Sequence, residues 1–469
     1  MDPIENLPPA EKRKLLVRLL EKRLRKVAPA IAPGLPDPQI FDRFAIPVSE
    51  LKPEVSLDPA IRFEAPAAKV TPDPANILLT GATGFLGAFL LHDFLNQTKG
   101  QVHCLIRCSD EDQGRKRIQK IMGNYFPDNG CDVSRITPIS GDLSQPLFGL
   151  SARDFERLAA TVDVVYHNAA LVNGLYSYEQ LKATNVLGTQ EAIRLAASGK
   201  LKPLHYVSSI SACPLEDTPE PKLVQERDLN DDNGLLYGGY PQSKWVAEQL
   251  IVLARSRGLP VCIYRPGIIS GDSRTGVWST TDATCKMIKV SVDSGITPDI
   301  DTAMDMTPVD YVSRALIYLS RTPESLGNIY HLANPKPLMA KHLISWIRSF
   351  GYPIRRIPYE AWRSEMVTLA RDSNTNVLSS FAPLFSTNVS SKIPGWMANK
   401  LVQSQQSGVD RLISAIGSRY ATQSVRLDCS NTTRDLAGTS IVCPEIDDRL
   451  LNTYFSYFIR IGFLNAPSH

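Results

Sequence analysis

The sequence predicts an α/β protein with a doubly wound, Rossmann-type parallel sheet and a smaller, mostly helical C-terminal domain. Three observations lead to this fold class. Short apolar segments alternate with helical patterns from residue 76 onward, as expected for a parallel sheet covered on both faces. A glycine-rich segment directly follows the first apolar segment and precedes a helical pattern. After about residue 276 the alternation loosens, which indicates a second domain.

Each apolar segment has the length and composition of a buried strand. The predicted strands lie at 76–80, 102–107, 136–140, 162–167, 204–208, 261–265 and 328–332. The clearest helical patterns lie at 177–198, 240–257, 308–320 and 340–350. The aromatic segment 450–464 is predicted to be a helix buried against the domain, because it is too short and too polar to span a membrane. Residues 373–410 are rich in Ser, Asn and Gln and are expected to be mobile.

Composition and charge exclude several classes of protein. With 51 Lys and Arg against 48 Asp and Glu, a net charge of +3, the chain lacks the basic excess of a nucleic-acid-binding protein. An apolar fraction of 43% argues for a folded chain. No apolar run reaches the ~18 residues of a membrane-spanning helix, and the acidic N-terminus lacks the apolar core of a secretory signal. The eight scattered cysteines fit free thiols in a reducing cytoplasm, and no metal site is expected.

The glycine-rich segment from Thr80 to Gly87 has the spacing of a phosphate-binding turn. Gly81 allows the tight turn, Gly84 lets backbone N–H groups approach a pyrophosphate, and Gly87 permits close packing of the helix on the strand. The N-terminus of the helix that follows adds partial positive charge. A tight turn without a ligand is the alternative, but the strand before it and the helix after it favour a dinucleotide site.

The residue at the end of the second strand indicates which dinucleotide binds. An NAD site usually has Asp or Glu there, on the ribose 2′-hydroxyl, whereas this strand ends in Arg107. A guanidinium suits a 2′-phosphate, so the sequence predicts NADPH over NADH. Arg117, ten residues further on, is expected to reach the same phosphate from the next helix, with Arg115 or Lys116 as alternatives.

A tyrosine and a lysine at YxxxK spacing, Tyr240 and Lys244, open the helix after the fifth strand. At i and i+4 they share one helix face, so Lys244 can hold the nicotinamide ribose and lower the pKa of the Tyr240 phenol. Tyr240 can then donate a proton to a carbonyl as hydride arrives, and Ser209, after the fifth strand, can hydrogen-bond the same oxygen. A second YxxxK pair, Tyr178 and Lys182, comes too early in the fold for this role.

Together, the glycine-rich segment, Ser209 and the Tyr240/Lys244 pair resemble the extended short-chain dehydrogenase/reductase superfamily. More narrowly, the sequence is similar to the thioester reductase family, the terminal reductase domains of nonribosomal peptide and polyketide synthases and of carboxylic acid reductases. The likeness is specific from about residue 75 to 335 and looser to the C-terminus. The motifs that carry it are TGATGFLGAFLL (80–91), HNAALVN (167–173), NVLGT (185–189), GGYPQSKWVAE (238–248) and YRPGIISGDSRTG (264–276).

The resemblance implies a role for each matching residue. Asp142 is expected to contact adenine, residues 168–170 to line the cofactor cleft, Asn185 to be the supporting asparagine of the family, and residues 266–268 to touch the nicotinamide end. Ser209 stands where members of the family often have threonine, and the hydroxyl is retained. With Arg107 and Arg117, the expected cofactor-binding set is Thr80, Gly81, Thr83, Gly84, Phe85, Leu86, Gly87, Asp142, Leu143, Asn168, Ala169, Ala170, Asn185, Tyr240, Lys244, Pro266, Gly267 and Ile268.

The same motifs divide the chain into three predicted regions. The first holds a basic amphipathic helix and a Pro- and Ala-rich linker, the second is the NADPH-binding domain, and the third binds substrate and carrier. Their bounds are 1–74 for the first, 75–275 with 305–335 returning to it for the second, and 276–304 with 336–469 for the third.

The resemblance implies an NADPH-dependent reductive release of an acyl or peptidyl group from a phosphopantetheine thioester on a carrier protein. Hydride transfer gives a thiohemiacetal, which collapses to an aldehyde and a free thiol, and some members of the family reduce the aldehyde to an alcohol. Alternatives are a fatty acyl-CoA reductase, an extended reductase or epimerase acting on another carbonyl substrate, and a non-enzymatic module that senses NADPH. The expected location is cytoplasmic.

The carrier protein is expected to come from another chain or from the rest of a synthase. Residues 1–70 contain only Ser49 and Ser56, and neither has the context of a phosphopantetheine attachment serine. The helix predicted at 11–27 either packs its leucines on its own protein, docks on an anionic membrane, or recruits an acidic carrier by charge complementarity. Its basic face includes Lys12, Lys14, Arg18 and Lys22.

Overall fold

The computed structural model describes residues 45–64, 71–127, 133–174, 176–215, 222–229, 234–300, 302–372 and 425–467. The helix predicted at 11–27 and the polar segment 373–410 lie outside these residues. Within them, the chain forms a central sheet with helices on both faces and a C-terminal group of helices with short strand pairs.

The strands of the described ranges are short. In chain order they are β1 (Ala45–Pro47), β2 (Asn76–Thr80), β3 (Gln101–Ile106), β4 (Ile136–Ser140), β5 (Val164–His167), β6 (Leu204–Val207), β7 (Lys222–Val224), β8 (Leu235–Tyr237), β9 (Val261–Pro266), β10 (Ile268–Ser270), β11 (Ile296–Pro298), β12 (Ala303–Met304), β13 (Met306–Pro308), β14 (Ile329–Leu332), β15 (Leu338–Met339), β16 (Arg355–Ile357) and β17 (Val425–Leu427).

The helices of the same ranges vary more in length. The α-helices are α1 (Val48–Leu51), α2 (Phe85–Gln97), α3 (Glu111–Tyr125), α4 (Ala152–Thr161), α5 (Tyr178–Lys182), α6 (Gly188–Ala197), α7 (Gly239–Ser256), α8 (Ala283–Ser294), α9 (Val309–Ser320), α10 (Ala340–Ser349), α11 (Tyr359–Asp372), α12 (Ser430–Asp435) and α13 (Asp448–Arg460). A π-helical turn, Ala183–Leu187, joins α5 to α6. Short 3₁₀ turns occupy Lys52–Glu54, Val133–Arg135, Pro146–Gly149, Ile210–Ala212 and Pro323–Ser325.

Seven strands form the central sheet in the order β14–β9–β6–β5–β2–β3–β4, and every neighbouring pair is parallel. The order reverses at β2, because the chain continues to β3 and β4 on one side and then to β5, β6 and β9 on the other. This is the doubly wound topology, so the predicted fold class is confirmed. Each predicted strand is present, and the largest shift is at 162–167, where β5 begins at Val164.

The two faces of the sheet carry separate apolar cores, because successive residues of a strand point to opposite sides. Along β2, Leu78 packs in the core with α6 and α7, whereas Ile77 and Leu79 pack in the core with α2 and α9. All three side chains are wholly buried, and each buried leucine contributes about 1.5–3 kcal/mol of hydrophobic free energy. These cores fix β2, and with it the glycine-rich segment at its carboxyl end.

A third core lies in the C-terminal part of the chain and is rich in aromatic side chains. Helix α13 buries Tyr454 and Phe458 in it, and the ring centres of Trp278 and Tyr454 lie 5.0 Å apart. Asp447 begins this helix, because its side chain accepts a hydrogen bond from an N–H of the first turn. The prediction of a buried helix in the aromatic segment is therefore confirmed, although the helix ends at Arg460.

Residues 45–64, which we term the N-terminal strap, belong to the predicted linker region and pack on the central sheet domain. Strand β1 pairs antiparallel with β8, which directly precedes the helix that carries Tyr240. Ile46 and Leu51 are buried in the same core as Leu78. The strap is thus part of the support of α7.

Among the described residues, no helix combines the length and the apolar character that a membrane-spanning segment needs. The same ranges contain no group of three or more His, Cys, Asp or Glu side chains arranged to bind a metal ion. They include all cysteines except Cys131, and each of these is a free thiol.

Candidate active site

The glycine-rich segment lies at the carboxyl end of β2, where the strand order reverses and α/β sheets bind ligands. Gly81 has a φ of +75°, and a Cβ added there would lie 2.8 Å from the Cα of Ala169. A Cβ at Gly87 would lie 1.9 Å from the carbonyl oxygen of Gly81. Gly84 is the N-cap of α2 and has no side chain to satisfy the N–H groups of the first turn, which leaves these groups for an anion.

Hydrogen bonds join this segment to the loop that follows β5. The N–H of Ala169 donates to the hydroxyl oxygen of Thr80 at 3.0 Å, and the side-chain amide of Asn168 donates to the carbonyl oxygen of Gly81 at 3.4 Å. The structure thus brings the two predicted cofactor-binding segments together at the crevice between β2 and β5.

The basic side chains predicted to bind a 2′-phosphate lie beyond the end of β3. Arg107 is exposed, and the guanidinium of Arg117 donates a hydrogen bond to its carbonyl oxygen. Arg115 is directed elsewhere, because it forms an ion pair with Glu111 at 2.8 Å and donates to the carbonyl oxygen of Ile136. The geometry therefore favours Arg117 over Arg115 as the partner of Arg107.

Asp142 lies in the turn after β4, and its carboxylate accepts hydrogen bonds from the N–H and the hydroxyl of Ser144 at 2.9 and 2.8 Å. The N–H of Gly141 donates to the last carbonyl of β3, so this turn adjoins the region around Arg107. Leu143 packs on the start of α6, where a Cβ added at Gly188 would lie 2.8 Å from the Leu143 carbonyl oxygen. The contact of Asp142 with adenine stays a prediction.

The side chains of Ser209 and Tyr240 lie near each other where β6 ends and α7 begins. Burial raises the pKa of the Tyr240 phenol to about 12, and the nearby hydroxyl of Ser209 lowers this pKa in part. The Ser209 hydroxyl oxygen also accepts the N–H of Ser211 at 3.1 Å, which restrains its orientation. Tyr240 therefore carries its proton at neutral pH, as a proton donor to a carbonyl oxygen must.

Lys244 lies one turn along α7 from Tyr240 and is buried. Its ammonium group donates to the carbonyl oxygen of Val207 at 2.7 Å and lies 4.3 Å from the ring centre of Tyr206. Burial lowers the pKa of Lys244 to about 7, and the negative charge of Glu248 opposes this shift. The charge of this lysine is therefore sensitive near neutral pH to any group that binds beside it.

Helix α7 begins with two glycines that its surroundings require. Gly238 has a φ of +89°, a conformation that other residues rarely adopt. A Cβ added at Gly239 would lie 2.4 Å from the carbonyl oxygen of Tyr176. These contacts set the position of Tyr240, which follows directly. The sequence analysis placed both glycines in the motif 238–248 but assigned them no structural role, because a glycine pair alone is also typical of a loop.

Asn185 lies in the π-helical turn before α6 and connects the cleft to α7. Its side-chain amide donates to the carbonyl oxygen of Leu171 at 3.1 Å and to the hydroxyl of Ser243 at 2.9 Å. Ser243 follows Tyr240 by three residues on the same helix. The residue predicted to support the catalytic group is therefore in contact with the helix that carries it.

Residues 266–268 connect the end of β9 to the start of β10, at the sheet edge where Ser209 follows β6. The N–H of Gly267 donates to the last carbonyl of β14 at 3.0 Å. A Cβ added at Gly267 would lie 1.9 Å from a carboxylate oxygen of Asp305, and burial raises the pKa of this carboxyl to about 6. The turn predicted at the nicotinamide end is thus built against a buried acidic side chain, which sequence reasoning missed.

Comparison with known proteins relates this geometry to a family. Residues 79–316 match the model of an NAD-binding family described as male sterility protein. The chain belongs to this family. It is an oxidoreductase of the extended short-chain dehydrogenase/reductase type, a reductase domain that binds a nicotinamide cofactor.

The reductase is similar to parts of much longer enzymes. It is 39% identical to one of the linear gramicidin synthase proteins of Brevibacillus parabrevis, over 89% of this chain and 8% of that one. It is 32% identical to L-2-aminoadipate reductase of Saccharomyces cerevisiae, over 84% of this chain and 28% of that one. The crystal structure of the terminal R domain from the myxalamid PKS–NRPS pathway matches with a TM-score of 0.77 and 40% identity, over 90% of this chain and 99% of that one. The reductase thus spans less than two thirds of these two curated relatives.

The crevice of the reductase fits a dinucleotide. A Cβ at Gly81 or Gly87 would collide with backbone atoms, so only glycine allows this tight turn, and the uncapped N–H groups at the start of α2 are left to bind a pyrophosphate. Thr83 lies in this turn, and Phe85 and Leu86 are the first residues of α2. We refer to residues 80–87 as the glycine cradle.

The second YxxxK pair of the reductase makes a structural contact. Tyr178 donates to the carboxylate of Glu54 at 3.0 Å, and Lys182 forms an ion pair with the same carboxylate at 2.7 Å. Both side chains therefore bind the N-terminal strap through Glu54. The pair attaches the strap to α5. Gly239, at the start of α7, packs against the backbone at the start of α5.

The reductase also contains a buried ion pair beside the catalytic helix. The guanidinium of Arg265 lies 2.6 Å from the carboxylate of Glu248, and the hydroxyl of Ser208 donates to the other carboxylate oxygen at 2.5 Å. Sequence reasoning missed this pair. The sequence did place Glu248 on the same helix face as Lys244, since the two residues are four apart, but it did not identify Arg265 as the partner.

Proposed function

We propose that this reductase releases an acyl or peptidyl group from a phosphopantetheine thioester on a carrier protein, with NADPH as the reductant. One observation carries the proposal. Ser209 and Tyr240 stand together at the same edge of the parallel sheet as the glycine cradle, with Lys244 one turn further along α7. The products are an aldehyde and a free thiol, and a second reduction of the aldehyde gives an alcohol.

In this mechanism the protein supplies the proton and the alignment, and the nicotinamide supplies a hydride when bound. Tyr240, with its pKa raised to about 12, is protonated and donates to the carbonyl oxygen as negative charge develops there. Ser209 donates a hydrogen bond to the same oxygen. The resulting thiohemiacetal breaks at its carbon–sulfur bond: the hydroxyl loses its proton and becomes the aldehyde carbonyl, and the sulfur takes up a proton and leaves as the thiol.

The end of β3 supports NADPH over NADH. Arg107 is exposed there, and the guanidinium of Arg117 donates to the backbone carbonyl oxygen of Arg107, so both basic side chains are located at the end of this strand. The 2′-phosphate of NADPH can accept hydrogen bonds from planar guanidinium groups. The 2′-hydroxyl of NADH carries no charge to match them.

The carrier in this proposal comes from another chain or from the rest of a synthase. The relatives support a tethered substrate, since one is part of linear gramicidin synthase and another is a terminal domain of a PKS–NRPS pathway. The helix predicted at 11–27, proposed to recruit an acidic carrier, lies outside the described residues. The free thiols of the described cysteines support a cytoplasmic location.

The proposal divides the chain into a cofactor domain, residues 75–275 with 305–335, and a substrate and carrier domain, residues 276–304 with 336–469. Strand β14 and helix α9 support the return of 305–335, because β14 is the edge strand of the central sheet and α9 packs in the same core as α2. The aromatic core around Trp278 supports a separate C-terminal unit.

The test supplies NADPH and compares three substrates at equal concentration: an acyl group bound to a carrier protein, the same acyl group bound to CoA, and a nucleotide sugar. We expect one free thiol and one aldehyde per NADPH oxidised in the first reduction, with the carrier-bound substrate preferred. Tyr240→Phe should abolish turnover and retain NADPH binding. Preference for acyl-CoA would indicate a fatty acyl-CoA reductase. Turnover of the sugar without thiol release would indicate an extended reductase or epimerase. Binding of NADPH without any turnover would indicate a sensor.

A further inference from the structure

A hydrogen-bonded system lies between the glycine cradle and Tyr240, and the mechanism above does not use it. We propose that His167 is a positioning residue: as a neutral ring with its proton on Nε2, it completes a one-directional chain of hydrogen bonds that fixes α7 relative to the glycine cradle. This inference rests on the proposed function, because the chain would align the group that holds the hydride donor with the group that donates the proton.

The chain begins at the carboxyl end of β2. The hydroxyl oxygen of Thr80 accepts the N–H of Ala169 at 3.0 Å and lies 3.0 Å from Nδ1 of His167. Within the described residues this hydroxyl has no third partner, so its one proton is directed to Nδ1. Nδ1 of His167 is therefore the acceptor in this contact.

The contacts of the other ring nitrogen of His167, Nε2, independently indicate the same tautomer. Nε2 of His167 lies 3.0 Å from the hydroxyl oxygen of Thr189, and Thr189 donates its own proton to the carbonyl oxygen of Asn185 at 2.7 Å. A carbonyl oxygen only accepts, so the Thr189 oxygen must accept a proton from Nε2. Two contacts on opposite sides of the ring thus assign one tautomer.

From Asn185 the chain continues to the catalytic helix. The side-chain amide of Asn185 donates to the hydroxyl of Ser243 at 2.9 Å, and this hydroxyl donates to the backbone carbonyl of Tyr240 at 2.8 Å. Asn185 and Ser243 are buried. In order, the chain links Ala169, Thr80, His167, Thr189, Asn185, Ser243 and Tyr240.

The surroundings of His167 keep its ring neutral. The ring is buried, and burial together with the positive charge of Lys244 lowers its pKa to about 3. The ring of Tyr206 stacks on it at 5.8 Å, and the two threonine hydroxyls flank it. A proton on Nδ1 would face the Thr80 hydroxyl as a second donor and reverse the chain at that point.

The predicted consequence is kinetic, because the cradle and α7 hold different reactants. Reacting atoms must lie about 3–3.5 Å apart, and a displacement of about 1 Å can reduce the rate about 10²-fold. Cutting the chain should therefore lower kcat and leave NADPH affinity nearly unchanged. A histidine that served only core packing would instead affect stability.

The first experiment uses substitutions at two links and one matched control. His167→Leu and Thr189→Val remove hydrogen bonds from the chain, and Thr189→Ser keeps the hydroxyl. His205→Leu is the control, since His205 is a buried histidine on β6 whose pKa burial also lowers to about 3, and it hydrogen-bonds Tyr264 outside the chain. Melting temperature, NADPH Kd, kcat and the isotope effect with 4-deuterated NADPH are measured for each.

We expect His167→Leu and Thr189→Val to lower kcat about 30- to 100-fold and to raise the isotope effect. Their NADPH Kd should stay within about threefold of wild type, and Thr189→Ser should recover most of the rate. His205→Leu should lower the melting temperature only. Unchanged kcat in Thr189→Val, or an equal loss of kcat in His205→Leu, would overturn the positioning role.

A second readout does not depend on catalysis. In protein labelled with ¹⁵N-histidine, the ring nitrogens of His167 should show the neutral Nε2–H form down to about pH 4, and the signals are assigned by their absence in His167→Leu or by their shift in Thr189→Ser. An Nδ1–H form, or protonation near pH 6, would overturn the inference whether or not the wild type reduces a thioester. The expected tautomer in a protein without thioester turnover would refute the proposed function alone.

Discussion

The guanidinium of Arg265 and the carboxylate of Glu248 lie 2.6 Å apart, and neither side chain is exposed to solvent. Arg265 also donates to two backbone carbonyl oxygens, and Glu248 accepts the hydroxyl of Ser208. Each charge therefore has a partner and further hydrogen bonds, the condition under which a buried ion pair is tolerated. Because Ser208 precedes Ser209 and Glu248 lies one turn beyond Lys244, the pair supports both sides of the catalytic site.

Breaking this pair should destabilise the protein strongly. Glu248→Gln leaves a guanidinium without a charged partner in the interior, and we expect it to reduce the free energy of unfolding by about 3–5 kcal/mol. The double variant Glu248→Gln/Arg265→Met should lose less than the sum of its two single variants. Urea unfolding measures all three. Glu445→Gln is the surface control, because its partner Lys336 is exposed, and an equal effect there would contradict the argument.

Gly267→Ala should disrupt the turn after β9. The added Cβ would lie 1.9 Å from a carboxylate oxygen of Asp305, so the turn or the carboxylate must move, at a cost of about 1–3 kcal/mol. Asp305→Ala in the same chain should recover part of this loss. The control is Gly123→Ala on α3, where nothing lies within 4 Å of the added Cβ. Thermal unfolding that ranks Gly123→Ala as the more damaging change would refute this prediction.

Arg107→Ala should weaken NADPH binding about ten- to a hundred-fold, the effect of losing about 1.5–3 kcal/mol of hydrogen bonding to a charged phosphate. NADH lacks this phosphate, so its affinity should not change. Arg115→Ala is the control, since Arg115 is paired with Glu111. Titration of each variant with both coenzymes measures the preference. An unaltered preference for NADPH in Arg107→Ala would remove the assignment.

The stability of the protein should depend on pH through Lys244. Burial lowers the pKa of its ammonium group to about 7 in the folded state, from an ordinary value of 10.5. Between these two values the unfolded state binds more protons, so the contribution of Lys244 to stability rises with pH. Below about pH 7 the contribution is constant. The melting temperature of wild type relative to Lys244→Met should therefore increase from pH 7 to pH 9, and a constant difference would contradict the lowered pKa.

The central sheet was predictable because its signals are local. The three central residues of the segment 76–80 are apolar, and in the structure both faces of β2 are covered, so no polar alternation interrupts them. The residues of the glycine cradle are contiguous, and Tyr240 and Lys244 share a helix face through their spacing alone. Such features need no knowledge of which strands become neighbours.

The side-chain contacts that sequence reasoning missed join separate elements. Arg265 meets Glu248 only because β9 lies beside α7, and His167 reaches Thr189 across the gap between β5 and α6. Periodicity shows which face of an element is buried, but it does not identify the partner of a buried polar side chain. The N-terminal strap is a similar case, since its strand has only three residues.

The pairing of β1 with β8 limits how far the N-terminus of this reductase can be shortened. A fragment that began at β2 would lack β1, and the backbone groups of β8, three residues before Tyr240, would lose their partners. An N-terminally shortened form of this reductase should therefore begin upstream of Ala45.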